Sequence, residues 1–116
     1  AKKIVLDGEG ATKFIEITCL GAKNPKQAQL AGLTIANSNL VKTAAFGNDP
    51  NWGRIAAAVG SLGIHHVNEK NLQIKFSPFH KKEIRISVDL NIGNARATVY
   101  TSDLSNEYVR INGRYN

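Results

Sequence analysis

The sequence contains no methionine, one cysteine and one tryptophan, and it has no long apolar run. Because Cys19 has no second cysteine to pair with, an internal disulfide is excluded, and a lone thiol in an apolar segment favours a reducing compartment. No run approaches the ~20 apolar residues that a membrane-spanning helix needs. The opening residues AKKIVLDGEG carry too short an apolar segment for a secretory signal. We therefore expect a cytoplasmic protein with no membrane partner.

Acidic residues are also few, since 9 Asp and Glu oppose 15 Lys and Arg and give a formal net charge of +6. This balance permits a nucleic-acid or other anionic partner. The basic residues are scattered, however, and aromatic residues that would stack on bases make up only 7% of the chain. We expect a solvated basic surface and no nucleic-acid partner. A stand-alone basic binding module remains the alternative.

Alternating apolar and polar residues, the pattern of half-buried strands, occur in several parts of the sequence. The clearest pattern runs from Ile84 to Ile92, and the Gly93-Asn94 pair that follows it predicts a hairpin turn. The predicted strands cover Thr12–Leu20, Leu72–Phe76, Ile84–Ile92, residues 95–99 and Tyr108–Asn112.

Two helices are predicted between the first strand and the others. For the first, Asn24 is a suitable N-cap, Pro25 a suitable first residue and Gln27 the partner in a capping box. Helically spaced apolar residues then continue to about Lys42. The element order is one strand, two helices and an antiparallel strand meander, which predicts a single α+β domain over residues 1–116.

The second helix opens in the unusual stretch GNDPNWGRIAAA. Asp49 as N-cap and Pro50 as first residue predict a helix to about Val59. Trp52 then serves as a packing anchor. An anion site formed by Arg54 and the positive helix N-terminus is the alternative.

Few side chains suggest catalysis or metal binding. No Gly-x-Ser-x-Gly elbow and no phosphate-binding loop is present, and the methyl group of Ala1 cannot act as a nucleophile. His65, His66, Glu69 and His80 are possible metal ligands, but adjacent histidines point apart in regular structure. We interpret these residues as polar loop positions and expect no metal and no cofactor.

The stretch DGEGATKF, residues 7–14, is more suggestive. Its two glycines allow a sharp turn close to a ligand, and Asp7 and Glu9 place carboxylates there. A carboxylate on such a turn can bind a ligand ammonium group. On residue types alone, a solvent-exposed turn is the competing interpretation.

Three stretches together resemble one family. DGEGATKFIEI (Asp7–Ile17), LVKTAAFGNDPNWGRIAAAVG (Leu40–Gly60) and SDLSNEYVRINGRY (Ser102–Tyr115) are closely similar to the arginine-biosynthetic ornithine acetyltransferases, or bifunctional glutamate N-acetyltransferases. The stretches keep the family's order and the resemblance covers the whole chain. It identifies the chain with the C-terminal part of the family's β chain.

The resemblance implies a self-cleaving enzyme of the N-terminal-nucleophile type. In such an enzyme a threonine that becomes the first residue of the β chain takes the acetyl group from N-acetyl-ornithine and passes it to glutamate. Some family members also use acetyl-CoA. The nucleophilic threonine is expected upstream of Ala1, so no catalytic residue is assigned here and the chain alone is expected to be inactive. Its implied partners are the α chain of the same precursor and the preceding part of the β chain, usually as α2β2.

Two residues match substrate-binding positions of the family. Glu9 of DGEG matches the glutamate that would hold the ornithine amine, and Asn112 of RIN matches a substrate-contacting asparagine. The resemblance favours a packing role for DPNWGR, since the family binds its substrate elsewhere. An aminopeptidase of the related fold is the remaining alternative. An assay that compares peptide cleavage with acetyl transfer would distinguish the aminopeptidase from the acetyltransferase.

Overall fold

The computed structural model describes residues 13–102 and 110–111. These residues form five strands and three helices, which confirms the α+β class and the order of a strand, helices and further strands. In chain order the elements are β1 (Phe14–Ala22), α1 (Pro25–Ala36), α2 (Asn39–Phe46), α3 (Trp52–Gly60), β2 (Gln73–Phe76), β3 (Glu83–Asp89), β4 (Ala95–Ser102) and β5 (Arg110–Ile111). None of the helices in the described ranges is long and apolar enough to cross a membrane.

The strands form one mixed sheet in the order β2-β3-β1-β4-β5. The first strand of the chain lies in the middle, parallel to β3 and antiparallel to β4. The predicted antiparallel meander is therefore corrected, because β3 and β4 are not neighbours. The predicted hairpin turn at Gly93-Asn94 is wrong for the same reason.

The segment after β3 instead crosses the end of β1 to reach its far side. Its amides at Leu90 and Ile92 donate to the carbonyls of Leu20 (2.9 Å) and Gly21 (2.8 Å). Gly21 has φ +64°, where β1 shows a register shift against β4. Gly93 passes so close to β1 that a Cβ there would lie 2.3 Å from the carbonyl oxygen of Ala22. A glycine that resembled a turn signal is thus required by a close backbone crossing.

The start of α1 agrees with the prediction and its end does not. The amide of Gln27 donates to Oδ1 of Asn24 (2.8 Å), and Oε1 of Gln27 accepts from the amide of Lys23 (2.8 Å). The helix ends at Ala36 instead of about Lys42. A new helix, α2, follows, with Ser38 as its N-cap accepting from the amide of Val41 (3.2 Å). Three helices therefore replace the predicted two.

The start of α3 is also shifted. Asn51, not Asp49, is the N-cap, because its Oδ1 accepts from the amide of Arg54 (3.1 Å). The Asp49 carboxylate accepts from Nδ2 of Asn51 (3.1 Å). Asp49 therefore orients the capping side chain, and Pro50 lies outside the helix.

The core lies between the sheet and the helices. Small residues of α1 let this helix approach closely, and a Cβ on Gly32 would lie 3.3 Å from both methyl groups of Val99 on β4. Large apolar residues of the strands fill the remaining space. The largest fully buried side chains are Phe14, Ile15, Ile17, Ile35, Ile55, Ile84, Ile86, Leu90, Val59, Val88 and Val99.

Candidate functional site

Both residues predicted to bind substrate, Glu9 and Asn112, lie outside the described residues. The structure describes the chain that adjoins each of them. Glu9 lies four residues before Lys13, where the described structure begins, and Asn112 directly follows β5. The elements next to these residues therefore define the candidate site.

The sheet brings these two distant parts of the sequence near each other. Tyr100 of β4 pairs with Glu16 of β1 on one side and with Arg110 of β5 on the other. Two strand spacings amount to about 10 Å. The strand that follows the DGEG segment and the strand that precedes Asn112 are thus separated by a single strand.

A buried ammonium group lies at the start of β1. The Nζ of Lys13 donates to the carbonyl oxygens of Ala45 (2.6 Å) and Phe79 (2.6 Å) and to Oδ1 of Asn48. Lys13 is only 8% exposed. An ammonium group has three protons to donate, and burial is tolerated where acceptors surround it. Lys13 therefore links β1 to the end of α2 and to the connection between β2 and β3.

One acceptor on the α2 side, Asn48, belongs to the start of the unusual stretch GNDPNWGRIAAA, and the other, Ala45, lies two residues before that stretch. Asn48 adopts a left-handed conformation with φ 59°, which asparagine tolerates better than most residues. The amide of Asp49 donates back to the carbonyl of Ala44 (2.8 Å). These bonds fix the turn that presents two oxygens to Lys13.

The polar groups at the start of α3 are also engaged internally. The guanidinium of Arg54 donates through Nη1 to the carbonyl of Leu40 (2.9 Å), which ties α3 to α2. Trp52 is 39% exposed, so it is a weaker packing anchor within this chain than expected. These contacts support the structural interpretation of DPNWGR and give Arg54 a role other than anion binding.

The sheet face opposite the helices is polar. The hydroxyls of Thr18 and Thr98 lie 3.0 Å apart across the β1–β4 pair. Glu16 pairs in register with Arg85, and both line a shallow cleft of about 260 Å³ together with Lys75 and others. Among the described residues, this face therefore carries charges of both signs.

The remaining reactive side chains do not form a site within the described ranges. His65 and His66 are exposed, with ring centroids 3.9 Å apart. No three His, Cys, Asp or Glu side chains among the described residues are grouped as metal ligands. Burial raises the pKa of the Cys19 thiol from 9.0 to about 12, so Cys19 is a core residue and not a nucleophile.

The α+β fold described above is similar to that of a protein of known structure. A crystal structure of the arginine biosynthesis bifunctional protein ArgJ from Bacillus halodurans matches with a TM-score of 0.82 and 36% sequence identity. The match covers 93% of this chain and 60% of that chain. The likeness thus extends to nearly all of the architecture described above.

The sequence comparisons identify the family. The ArgJ family model matches residues 1–80 and 77–116, and the chain belongs to the ArgJ family. Proteins named arginine biosynthesis bifunctional protein ArgJ from Geobacter sulfurreducens and Chlorobaculum tepidum are 46% and 44% identical over 99% of this chain. The resemblance inferred from the three stretches is confirmed.

The chain spans about a third of the length of these relatives, 34% and 33%. The chain is also shorter than the part of the Geobacter protein to which it aligns. The alignment with the Geobacter protein runs over 136 positions whereas the chain has 116 residues, so the relative carries at least about twenty positions without a counterpart here. The two matched ranges meet at residues 77–80, which lie in the connection between β2 and β3.

Lys13 is the residue that the sequence analysis missed. It counted there only among the scattered basic residues of a solvated surface. A signal was available, because Lys13 lies three residues after the second glycine of DGEG and immediately before the apolar residues Phe14 and Ile15. A lysine at the end of a strand can be buried where several oxygen acceptors surround its ammonium group. The acceptors of Lys13 lie 32 or more positions away in the sequence, so local patterns do not reveal them.

Proposed function

We propose that this chain is part of an ornithine acetyltransferase that moves an acetyl group from N-acetyl-ornithine to glutamate in arginine biosynthesis. Family membership over the whole chain is the observation that carries the proposal. Relatives of 44–46% identity are named for arginine biosynthesis and for two functions. Glutamate acetylation by acetyl-CoA is the second activity that such an enzyme would have.

The reaction divides into two half-reactions through an acyl-enzyme. A threonine hydroxyl outside this chain attacks the acetyl carbonyl carbon of N-acetyl-ornithine. The carbon–nitrogen bond then breaks, and the ornithine amine leaves with a proton. The α-amine of glutamate next attacks the acetyl-threonine ester and regenerates the hydroxyl. Covalent catalysis of this kind splits one difficult transfer into two easier ones.

In this proposal the chain contributes to substrate binding and supplies no nucleophile. The Glu9 carboxylate binds the side-chain ammonium group of the ornithine moiety through charge-assisted hydrogen bonds. The Asn112 amide, with both donors and an acceptor, contacts the substrate from the other end of the sequence. The separation of β1 and β5 by a single strand supports a site to which both contribute.

The proposed setting follows from the same family. The α chain of the precursor and the preceding part of the β chain complete the enzyme, as an α2β2 assembly in the cytoplasm. Nucleic acid and membranes are not partners, and neither a metal nor a cofactor is required for the transfer. Alone, the chain is inactive.

A chimaeric enzyme tests the proposal. Residues 1–116 would replace the corresponding third of the Geobacter sulfurreducens relative, and transfer from N-acetyl-ornithine to glutamate would be measured. Loss of a hydrogen bond to a charged group costs about 1.5–3 kcal/mol. We therefore expect Glu9→Gln to lower kcat/KM for N-acetyl-ornithine about 10- to 100-fold, with kcat/KM for glutamate unchanged.

Glu69→Gln, which alters an exposed loop carboxylate, is the matched control and should leave both values unchanged. A chimaera that assembles but cleaves peptides without transferring acetyl groups would favour the aminopeptidase alternative. Equal loss of both half-reactions in Glu9→Gln would contradict the assignment of Glu9 to the donor.

A further inference from the structure

We propose that the exposed side of α2 and the start of α3 form a docking surface for the rest of an ArgJ-family protein, the part that has no counterpart in this chain. This α2–α3 face is defined by the side chains of Leu40, Phe46 and Trp52. The inference rests on the proposed function in one respect, namely that the rest of the enzyme completes this chain. It adds the place at which that part binds.

Large apolar side chains are exposed mainly on this face. Among the described residues four of them are exposed, and Leu40 (61%), Phe46 (53%) and Trp52 (39%) all fall within residues 40–52. The fourth, Leu30 (51%), lies on α1. Single exposed apolar residues are ordinary on protein surfaces, whereas a cluster of them marks an interaction site.

Hydrogen bonds keep the two helices of this face together. Nη1 of Arg54, which lies two residues after Trp52, donates to the carbonyl oxygen of Leu40 (2.9 Å). At the other end of α2 the amide of Asp49 donates to the carbonyl oxygen of Ala44 (2.8 Å), so the chain turns soon after α2 ends. The chain from the start of α2 to the start of α3 is therefore closed on itself, and its exposed apolar side chains belong to one region of the surface.

Charged side chains are scarce on this face, although 21% of the residues in the chain are charged. Residues 39–60 contain three of them, Lys42, Asp49 and Arg54. Lys42 is buried and Arg54 is half-buried, so within this fully described segment Asp49 is the only exposed charged residue. Surface helices normally carry charged residues on their outer side, whereas the centres of interfaces are depleted of charge and enriched in aromatic residues.

The polar side chains beside the apolar ones already have partners within the chain. The Thr43 hydroxyl donates to the carbonyl oxygen of Asn39 (2.7 Å). Asn51 caps α3 through Oδ1 and donates through Nδ2 to the Asp49 carboxylate (3.1 Å). Covering a polar group is costly where the group loses water and gains no other partner. Because these groups keep their partners, the face can be covered at little cost.

The relatives contain the material that would cover this face. The chain spans 34% of the Geobacter sulfurreducens protein and 60% of the solved Bacillus halodurans chain, so about two fifths of that solved chain have no counterpart here. Nearly all of this fold is thus part of a larger polypeptide in the relative. A second copy of this chain is a less suitable occupant, because each copy carries a net charge of +6 and the two would repel each other.

Hydroxyl-radical footprinting tests the docking surface by comparing the 116-residue chain with the chimaeric enzyme. Mass spectrometry measures the rate at which each side chain is oxidised in the two proteins. We expect Trp52 and Phe46 to be oxidised about fivefold more slowly in the chimaera, because the centre of an interface excludes solvent. Leu30 on α1 should react at the same rate in both.

Charged substitutions give a second measurement. Leu40→Asp and Phe46→Lys each place a charge on the face, with a sign that suits the end of α2 at which the residue lies. Because both side chains are exposed, the Tm of the isolated chain should change by no more than about 3 °C. In the chimaera the charge would be buried, so Tm should fall by about 4 °C or more. Leu30→Lys is the matched control and should leave both Tm values unchanged.

Several outcomes would overturn the inference. Equal oxidation of Trp52 and Phe46 in the two proteins would do so, and so would equal effects of Leu40→Asp and Phe46→Lys on the two Tm values. Protection of Trp52 in the isolated chain that increases with its concentration would assign the face to a second copy instead. A folded chimaera that shows the protection but transfers no acetyl group would contradict the proposed function and leave the docking surface intact.

Co-expression of two polypeptides replaces the chimaera if the chimaera does not assemble. The tagged 116-residue chain would be produced together with the remaining two thirds of the Geobacter relative and recovered through the tag. Capture of the relative's part by the wild-type chain and by Leu30→Lys, with loss of capture in Leu40→Asp, would support the docking surface. No capture by the wild-type chain, or equal capture by all three, would overturn it.

Discussion

Replacing Gly93 by alanine should destabilise the fold severely, because the crossing over β1 leaves no room for a Cβ. The added atom would lie 2.3 Å from the carbonyl oxygen and 2.8 Å from the carbonyl carbon of Ala22. Both are backbone atoms, so no side chain can rotate away. Either the end of β1 or the crossing segment must move.

The magnitude follows from what such a movement would disrupt. Overpacking of a filled site costs about 1–3 kcal/mol. The crossing segment is held by the amides of Leu90 and Ile92 on β1, and weakening these bonds adds about 1 kcal/mol each at most. We expect Gly93→Ala to lower the free energy of unfolding by about 3 kcal/mol. For a chain of this size, that corresponds to a Tm lower by about 12 °C.

Urea unfolding of the 116-residue chain, followed by circular dichroism, would measure the change. Gly60→Ala is the control, because a Cβ at the end of α3 meets nothing within 4 Å; alanine there should be neutral or stabilise by up to about 1 kcal/mol. A Gly93→Ala variant within about 0.5 kcal/mol of the wild type would refute the close crossing of β1. The sheet order around β1 would then need revision.

Two other predictions concern a helix cap and the buried thiol. Asn51→Ala should lower the free energy of unfolding in urea by about 1 kcal/mol, because it removes the N-cap of α3. Asp49→Ala should lower it by less. If Asp49→Ala were the more destabilising variant, Asp49 would be the cap, as the sequence predicted. Cys19, whose pKa is raised by burial to about 12, should resist iodoacetamide at pH 8 until the chain unfolds, as mass spectrometry would show. The folded state disfavours the thiolate, whereas the unfolded chain can form it above pH 9.0. The free energy of unfolding of the wild type should therefore fall relative to that of Cys19→Ala as the pH rises from 9.0 towards 12. Equal pH dependence of the two free energies of unfolding would contradict the burial of the thiol.

Local sequence signals predicted the elements better than their arrangement. The alternation from Ile84 onward and the capping residues at Asn24 act within a few positions, and both appear as expected. The ends of helices were less predictable. Asn37 ends the first helix and Ser38 caps the second. The sequence analysis predicted one continuous helix here, because the helical spacing of apolar residues continues across these two positions.

The pairing of strands could not be read from short-range patterns. The Gly93-Asn94 pair fits a hairpin as well as it fits a crossing, and only the insertion of β1 between β3 and β4 separates the two. That insertion depends on contacts between residues far apart in the sequence. The same reason hid Lys13, whose acceptors come from two distant connections.

The substrate residues were reached by resemblance and not by residue chemistry. A carboxylate in a glycine-rich turn is equally typical of a solvated turn, and nothing within DGEG separates the two interpretations. Family membership is now established for the chain, whereas the roles of Glu9 and Asn112 stay predictions for the chimaeric enzyme to test.

The central place of the first strand also affects how the protein is made. Phe14 pairs with Glu83 and with Ser102, so the partners of β1 follow it by roughly 70 to 90 residues, a separation typical of slow sheet formation. At about 5–20 residues per second, a ribosome needs about 4 to 18 s after it has made β1 to synthesise the strands that pair with it. Throughout that interval β3 and β4, the strands that flank β1 in the described sheet, have not been synthesised, so the helices α1, α2 and α3 are the described elements that can cover the apolar face of β1 first.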